Sequence, residues 1–197
     1  MTKYRTILID PPWAMKTAGQ YKGRHERPRD LPYQTMSLPE IAALPVGDLA
    51  EVGAHLWLWT VNQFFEEAFQ LIRGWGFKYH MTITWAKPSG FGNYFVSRTE
   101  HLLFACKDKC QFNQSRYLPN YYLEQEQPDA GVSFEWGRPK AGQHSKKPEH
   151  SYRLIEEISD PARLELFARN HQPLLGPRPG WDVWGDQVES TIKMEAA

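Results

Sequence analysis

Short runs of apolar residues alternate with amphipathic stretches along the first half of the chain, and this alternation predicts strands that alternate with helices. Runs rich in β-branched and aromatic residues are typical of buried strands. Four such runs cover residues 4–9, 55–60, 79–86 and 101–106. Between the second and third runs, Phe65, Phe69 and Ile72 recur at helical spacing and predict a helix over about 63–73.

Polar and glycine residues mark the ends of the predicted helices. Ser37 and Glu40 have the spacing of a capping box, so a short helix is predicted to run from there to about residue 44. Asn62 is predicted to cap the 63–73 helix, and Gly74 and Gly76 are predicted to end it.

A long polar interruption opens the second half of the chain. Residues 107–143 mix tyrosine, proline, glycine and basic residues without periodicity, which predicts an irregular insert that recognises substrate. A helix over 148–159 and strands over 163–167 and 181–184 are predicted to follow. The order of elements predicts an α/β fold with a mostly parallel sheet and helices on both faces.

Length and charge bound the organisation of the chain. At 197 residues it is predicted to form one catalytic domain over 1–187, with a weakly ordered tail over 188–197. Lysine plus arginine and aspartate plus glutamate both number 23, so the net charge does not indicate a nucleic-acid partner and any basic surface must be local.

One local concentration of positive charge is the segment 16–32, which its glycines and prolines predict to be a mobile loop. It carries the basic residues Lys16, Lys22, Arg24, Arg27 and Arg29. A solvated charged loop is one interpretation. The other is a lid that closes over substrate and contacts phosphates, since the segment directly follows the first candidate site.

The two cysteines, Cys106 and Cys110, do not predict a metal site, because no second cysteine or cysteine–histidine pair completes a tetrahedral zinc set. They also fit a reducing, intracellular setting better than a disulfide scaffold. The start of the chain has no signal-peptide pattern, and the longest apolar stretch, near 54–61, is too short to span a bilayer. A soluble, cytoplasmic protein without a membrane partner is predicted.

Asp10-Pro11-Pro12-Trp13, which follows the first predicted strand, is the first candidate for chemistry. Ligands of open α/β sheets bind at the carboxyl ends of strands. Asp10 offers a carboxylate, and the two prolines stiffen the turn. Fixed acceptors beside the flat face of Trp13 suit a planar heterocycle with an exocyclic amine. The alternative is a strand-ending turn followed by a core tryptophan.

Further short motifs follow Asp10-Pro11-Pro12-Trp13 in order. They are Pro32 to Ser37, Leu56-Trp57-Leu58-Trp59, Ile83 to Lys87, Glu100-His101-Leu102-Leu103, His144 to Pro148, Glu165 to Arg169, Gly180-Trp181 and Trp184-Gly185. In this order and at these spacings, the set closely resembles the family of N(6)-adenine methyltransferases related to the catalytic subunit of the eukaryotic messenger-RNA adenosine methyltransferase. The resemblance covers about residues 4 to 187, and the short chain resembles the bacterial or phage members.

The resemblance implies a fold, a cofactor and a reaction. The fold is a Rossmann-like class I methyltransferase, in which the Asp-Pro-Pro-Trp motif precedes the cofactor-binding motif. The donor is S-adenosyl-L-methionine, the product S-adenosyl-L-homocysteine, and the acceptor the exocyclic N(6) amine of adenine. Since the chain has no G-x-G-x-x-G fingerprint, the family match alone carries the cofactor prediction.

Residue roles are implied by the same resemblance. Asp10 and the Pro11 carbonyl accept hydrogen bonds from the amine, Pro12 fixes the turn, and Trp13 packs on the base. The residues expected to contact the cofactor are Asp10, Lys147, Glu165, Arg169, His171, Asp186 and Gln187. Tyr33 lies where the family has a residue on the lid over the active site. Asn93, Tyr94 and, by their charge and position, the basic residues of the 16–32 segment are also expected to contact the substrate. Asp186 replaces the asparagine common in the family, and its carboxylate can still hold ribose hydroxyls.

The predicted function is therefore methylation of adenine N(6) in DNA. One alternative is the same reaction on RNA, and a second is a non-catalytic, nucleic-acid-binding member of the family. The intact Asp10, Lys147 and Glu165 argue against the second. A third is methylation of cytosine N(4), which uses a related Ser/Asp-Pro-Pro turn; the downstream motifs argue against it.

Overall fold

The computed structural model describes residues 2–14, 34–91, 95–112, 117–123, 147–169 and 177–194, except for the side chains of 88–91. The strands of this part of the chain are β1 (Tyr4–Ile9), β2 (Ala50–Val61), β3 (Lys78–Phe91), β4 (Ser97–Cys106), β5 (Tyr121–Leu123), β6 (Arg163–Leu166) and β7 (Trp181–Trp184). Its helices are α1 (Leu38–Ala42), α2 (Val46–Leu49), α3 (Phe65–Gly74) and α4 (Glu149–Ile158), and a 3-10 turn covers Asn62–Phe64.

The strands form one sheet in the order β5-β3-β4-β2-β1-β6-β7. β1 pairs in parallel with β2 and with β6, β6 with β7, and β3 with β5. β4 is antiparallel to both of its neighbours. The predicted α/β fold with a mostly parallel sheet is confirmed. Since every strand but β4 points the same way, the carboxyl ends of β1, β2, β6 and β7 meet at one edge of the sheet.

Side chains alternate between the two faces of the sheet, and helices cover both faces. Ile7 and Ile9 of β1 pack in one core cluster with Ile72 of α3, whereas Leu8 packs in a second cluster with Ile155 of α4. This two-residue period is the geometry of a pleated strand buried on both sides. None of the helices within the described ranges is long and apolar enough to cross a membrane.

Two predicted helix ends are confirmed. The Glu40 carboxylate accepts hydrogen bonds from the Ser37 hydroxyl and the Ser37 backbone N–H, both at 2.7 Å, which lower the pKa of Glu40 and belong to the capping box of α1. α3 ends at Gly74, and Gly76 beyond it has a φ of +81° while its N–H donates to the Arg73 carbonyl.

The prediction that Asn62 caps a helix is wrong. Its Nδ2 donates to Ser97 Oγ and Thr99 Oγ1, both at 3.0 Å, and its Oδ1 lies 3.0 Å from His101 Nε2. A side chain that reaches across to β4 cannot bond the first N–H groups of its own helix. The segment opens instead with the 3-10 turn, and Phe64 is the N-cap residue of α3.

Two segments predicted to be irregular or weakly ordered contain defined contacts. Within 107–143, Tyr121–Leu123 forms β5 and pairs in parallel with β3. In the tail, the Thr191 N–H donates to the Val183 carbonyl at 2.9 Å, and Ile192 and Met194 pack against the core. Residues 113–116, 124–146 and 195–197 lie outside the described residues.

The cysteines also differ from expectation, because Cys106 and Cys110 are joined by a disulfide. Cys106 is the last residue of β4. Asp108 has a φ of +60°, a conformation that aspartate tolerates better than most residues, and it turns the chain back toward the strand. This turn returns Cys110 to Cys106.

Candidate active site

The carboxyl ends of the parallel strands bring together candidate residues from distant parts of the sequence. Asp10 directly follows β1, Glu165 lies in β6 opposite Leu8 of β1, and Asp186 follows β7. Lys147 precedes α4 and reaches the same edge, where its Nζ is 3.1 Å from Asp10 Oδ1. The sheet therefore assembles the predicted amine-binding and cofactor-binding residues at one edge.

A chain of four charged side chains lies at this edge. Lys147 Nζ contacts Asp10 Oδ1 and also Glu100 Oε2, the latter at 3.0 Å. Glu100 Oε1 in turn accepts a hydrogen bond from Lys87 Nζ at 2.6 Å. The Lys147 side chain is only 9% exposed, so this ammonium depends on its two carboxylate partners for the solvation that it has lost.

Attraction between these oppositely charged side chains shifts their pKa values. Burial by itself lowers the pKa of Lys147, but Asp10 and Glu100 outweigh it and the pKa is raised. Burial raises the pKa of Glu100, but Lys147 and Lys87 outweigh it and hold the pKa at about 2. Burial raises the pKa of Asp10 above its ordinary value and Glu100 adds to the rise, although the Lys147 ammonium opposes both. The contact with Lys147 therefore limits the rise in the Asp10 pKa and does not reverse it.

The carbonyl oxygens of Pro11 and Pro12 each accept one backbone hydrogen bond. The Pro11 carbonyl accepts a hydrogen bond from the Trp13 N–H at 2.8 Å, and the Pro12 carbonyl accepts one from the Met36 N–H at 3.0 Å. A carbonyl oxygen has two lone pairs, so the Pro11 oxygen can accept one more donor. Trp13 and Met36 also form a β-bridge, which holds both flanks of the 15–33 segment beside the turn.

Trp13 is more deeply buried than an exposed side chain that stacks on a base would be. Its side chain is 6% exposed, and its ring stacks on Phe64 with 5.0 Å between centroids and 10° between planes. Its Nε1–H donates to the Trp59 carbonyl at 3.2 Å. One face of the indole is thus covered by Phe64, and base packing on Trp13 stays a prediction that concerns the opposite face or edge.

Glu165 is held by a residue that the sequence did not single out for the site. Tyr152 of α4 donates its hydroxyl to Glu165 Oε1 at 2.7 Å, and the Arg178 guanidinium lies 4.7 Å from the centre of the Tyr152 ring. Burial raises the pKa of Glu165 to about 7, against the Tyr152 hydrogen bond, which lowers it. Glu165 therefore changes charge near neutral pH.

The segments that follow β6 and β7 are packed against each other. Phe167 has a φ of +61°, which is strained for a bulky residue, and the next N–H, that of Ala168, donates to the Trp184 carbonyl at 3.0 Å. A Cβ at Gly185 would lie 2.7 Å from the Ala168 carbonyl oxygen, so only glycine permits this approach. Beyond this close contact, the two segments form the β-bridge between Arg169 and Gln187.

The structure brings together most of the described site residues. Asp10, Lys147 and Glu165 are buried or half-buried at the sheet edge, Arg169 and Gln187 are half-buried beside them, and Asp186 is exposed. The other predicted residues lie outside the described ranges: Lys16, Lys22, Arg24, Arg27, Arg29, Tyr33, Asn93, Tyr94 and His171.

Glu100 and Tyr152 were missed as site residues for different reasons. Glu100 directly precedes the apolar run 101–106, so the sequence already showed a charged residue at one end of a buried strand. Tyr152 has helical spacing with Ile155 and reads as a core residue. Only the packing of α4 on the sheet shows that its hydroxyl meets Glu165.

The family model described as MT-A70 matches residues 4–187, which includes every candidate residue from Asp10 to Gln187. The match and the mostly parallel sheet agree with a Rossmann-like methyltransferase fold. The chain therefore belongs to the MT-A70 family, the S-adenosylmethionine-dependent N(6)-adenine methyltransferases that include the catalytic subunit of the eukaryotic mRNA adenosine methyltransferase and its relatives.

Proposed function

We propose that this chain methylates the N(6) amine of adenine in DNA, with the Asp10-Pro11 turn as the amine-binding element. The observation that carries the proposal is that Asp10 and Pro11 directly follow β1, where the Asp10 carboxylate contacts Lys147 and the Pro11 carbonyl accepts one hydrogen bond. Both groups accept hydrogen bonds, and an exocyclic amine offers two N–H donors.

These two acceptors can activate a poor nucleophile. The lone pair of the adenine amine is delocalised into the ring, and accepting both N–H bonds favours a pyramidal nitrogen whose lone pair is free to attack. Positive charge develops on this nitrogen as it is alkylated, and we propose that the Asp10 carboxylate stabilises it. The contact with Lys147 at 3.1 Å fixes the orientation of the carboxylate beforehand.

The residues present fit the S-adenosylmethionine that the family uses. Asp10 and Glu100 account for two of the three Lys147 N–H donors, so the third can donate to the methionine carboxylate. Glu165 has one oxygen bonded to Tyr152 and a second one for ribose hydroxyls. Arg169, Asp186 and Gln187 are proposed to complete the nucleoside end. The bound cofactor supplies an electrophilic methyl group that carries its own leaving group.

DNA is proposed over RNA because the motif set resembles the bacterial or phage members of the family, for which DNA is the expected substrate. An adenine in a duplex must leave the stack before its amine can reach Asp10, at a cost of a few kcal/mol. The basic residues of the 16–32 segment, together with Asn93 and Tyr94, are proposed to contact the substrate and offset this cost.

The test compares polymers of matched sequence. The full chain is incubated with methyl-labelled S-adenosylmethionine and duplex DNA, single-stranded DNA or RNA, and the products are digested to nucleosides. We expect label in N(6)-methyldeoxyadenosine. Label confined to RNA would overturn the choice of polymer. Cofactor binding without label in any polymer would show a non-catalytic member, and label on cytosine would overturn the choice of base.

The Tyr152–Glu165 contact predicts a pH dependence of cofactor binding. Ribose hydroxyls donate more strongly to a carboxylate than to its acid, so affinity is expected to rise with pH through the Glu165 pKa of about 7. Tyr152→Phe removes a hydrogen bond that lowers this pKa. A bond to a charged group contributes about 1.5–3 kcal/mol, so the midpoint is expected to move up by about one pH unit or more.

Calorimetric titration of the cofactor between pH 5.5 and 9 measures this midpoint. Tyr79→Phe is the matched control, because Tyr79 is exposed and its hydroxyl contacts only Thr82 among the described residues. An unchanged midpoint in Tyr152→Phe would contradict the assignment of the transition to Glu165.

A further inference from the structure

His55, Cys106 and Cys110 form a cluster away from the candidate active site. One ligand atom from each residue lies within 4.8 Å of the other two. His55 comes from β2, Cys106 ends β4, and Cys110 follows the turn after β4. We propose that the reduced chain binds one Zn²⁺ ion through the imidazole of His55 and the thiolates of Cys106 and Cys110.

The residue types and their spacing suit this ion. Zinc binds cysteine sulfur at about 2.3 Å and histidine nitrogen at about 2.0 Å, so the ligand atoms of one ion lie within about 4 Å of one another. Cys110 Sγ is 3.9 Å from His55 Nε2. Three protein ligands leave a fourth position for water.

The surroundings of His55 resemble the support that metal-binding histidines have. Its Nδ1 lies 2.7 Å from Ser159 Oγ, which also accepts a hydrogen bond from Trp57 Nε1 at 3.0 Å. A partner on one ring nitrogen fixes the ring and directs the other nitrogen to the metal. The ring also hydrogen-bonds the Gln111 backbone.

Burial and charge are consistent with a bound ion. His55 is 3% exposed and Cys106 is fully buried, and the rings of Phe104 and Phe112 lie 5.0 and 5.7 Å from the imidazole. A buried charge in such apolar surroundings is costly unless it is balanced. Two thiolates balance the two charges of Zn²⁺, so the complex is neutral.

The sulfur atoms are bonded to each other in this structure, so reduction must come first. A phosphine reductant supplies two electrons and becomes the phosphine oxide, with its oxygen from water, and both sulfurs become thiols. Zinc then binds two thiolates and a neutral imidazole, and two protons are released. The disulfide and the zinc site are alternative states of the same two sulfurs.

The cluster lies toward the amino ends of the parallel strands. His55 pairs with Thr6, four residues before Asp10, which corresponds to about 13 Å along β1. Zinc at this place would tie the turn after β4 to β2 and would not contact the substrate amine. The inference therefore does not depend on the proposed function.

Zinc content tests the proposal directly. The full chain is stripped with a chelator in the presence of the phosphine, exposed to Zn²⁺, and freed of excess metal before elemental analysis. We expect one zinc per chain, slow alkylation of both thiols, and a higher Tm than that of the stripped protein. Co²⁺ in place of Zn²⁺ is expected to show thiolate charge-transfer absorption.

Two variants complete the test. Cys110→Ser alters a half-buried ligand and is expected to weaken zinc binding by more than about 100-fold, beyond the usual effect of losing a supporting residue. His80→Asn is the control, since His80 is exposed, lies 6.0 Å from Phe104 and is not in the cluster. Its zinc content is expected to equal that of the wild type. Wild-type zinc no higher than in Cys110→Ser, or a disulfide that re-forms in the presence of Zn²⁺, would overturn the proposal.

Discussion

Replacing Asp10 with asparagine is expected to lower the rate of adenine methylation by about 10²–10³-fold, the effect of losing one group that stabilises charge in a transition state. The substitution removes the negative charge next to the reacting amine and can present an amide N–H where an acceptor is required. Lys147 keeps Glu100 as a partner at 3.0 Å, so the fold is expected to survive. Single-turnover transfer of labelled methyl measures the rate.

Asp48→Asn is the matched control for this experiment. Asp48 is an exposed carboxylate in the short helix α2, on a different part of the surface from the carboxyl end of β1. Its rate is expected to equal that of the wild type. A rate for Asp10→Asn within threefold of the wild type would remove Asp10 from the chemistry, whatever the variant's affinity for the cofactor.

Replacing Lys147 with methionine is expected to destabilise the protein by about 3–5 kcal/mol at neutral pH and to abolish cofactor binding. The ammonium lies between Asp10 and Glu100, and its loss leaves two largely buried carboxylates without this partner. Urea unfolding measures the free-energy difference. The loss of the contact to the methionine carboxylate is measured separately by cofactor titration.

The destabilisation caused by Lys147→Met is expected to decrease as the pH falls. Glu100 has a folded-state pKa of about 2, below its ordinary value of 4.5, so its stabilising contribution is complete above 4.5 and is lost as the pH falls toward 2. Without Lys147 the carboxyl loses the larger of the attractions that lower its pKa. The difference between wild type and variant is therefore largest near pH 7 and shrinks below pH 4.5.

A second substitution separates charge from packing. Adding Glu100→Gln to Lys147→Met removes one of the two carboxylates that lost the Lys147 partner and is expected to recover part of the lost stability. Lys193→Met, at an exposed position in the tail, is the control and is expected to change stability by less than about 0.5 kcal/mol. A Lys147→Met protein as stable as the wild type at pH 7.5 would show that the buried cluster does not depend on this ammonium.

Strand positions and the site turn were predictable because they depend on neighbours in sequence. The run 4–9 is apolar and β-branched, and Asp10-Pro11-Pro12 can only end it. The structure has β1 at Tyr4–Ile9. The ordered motifs that predicted the family cover residues 4 to 187, the range that the family model also matches.

Contacts made by single side chains across the sheet were not predictable in the same way. Asn62 has the chemistry of a helix cap, but Ser97, Thr99 and His101 of β4 lie within reach and take its amide instead. Trp13 reads equally well as a platform for a base or as a core residue, and its stack on Phe64 depends on how the 3-10 turn meets β1. Local patterns contain no information on such partners.

The sequence by itself determined the α/β class, the position of the Asp10-Pro11 turn and the family, since periodicity, turn chemistry and motif order are properties of the linear chain. The tertiary structure decided which charges meet. The antiparallel insertion of β4 between β2 and β3 places Glu100 beside Lys147, and the pairing of β2 with β4 places His55 beside Cys106. These contacts follow from strand order and register, which join residues far apart in sequence.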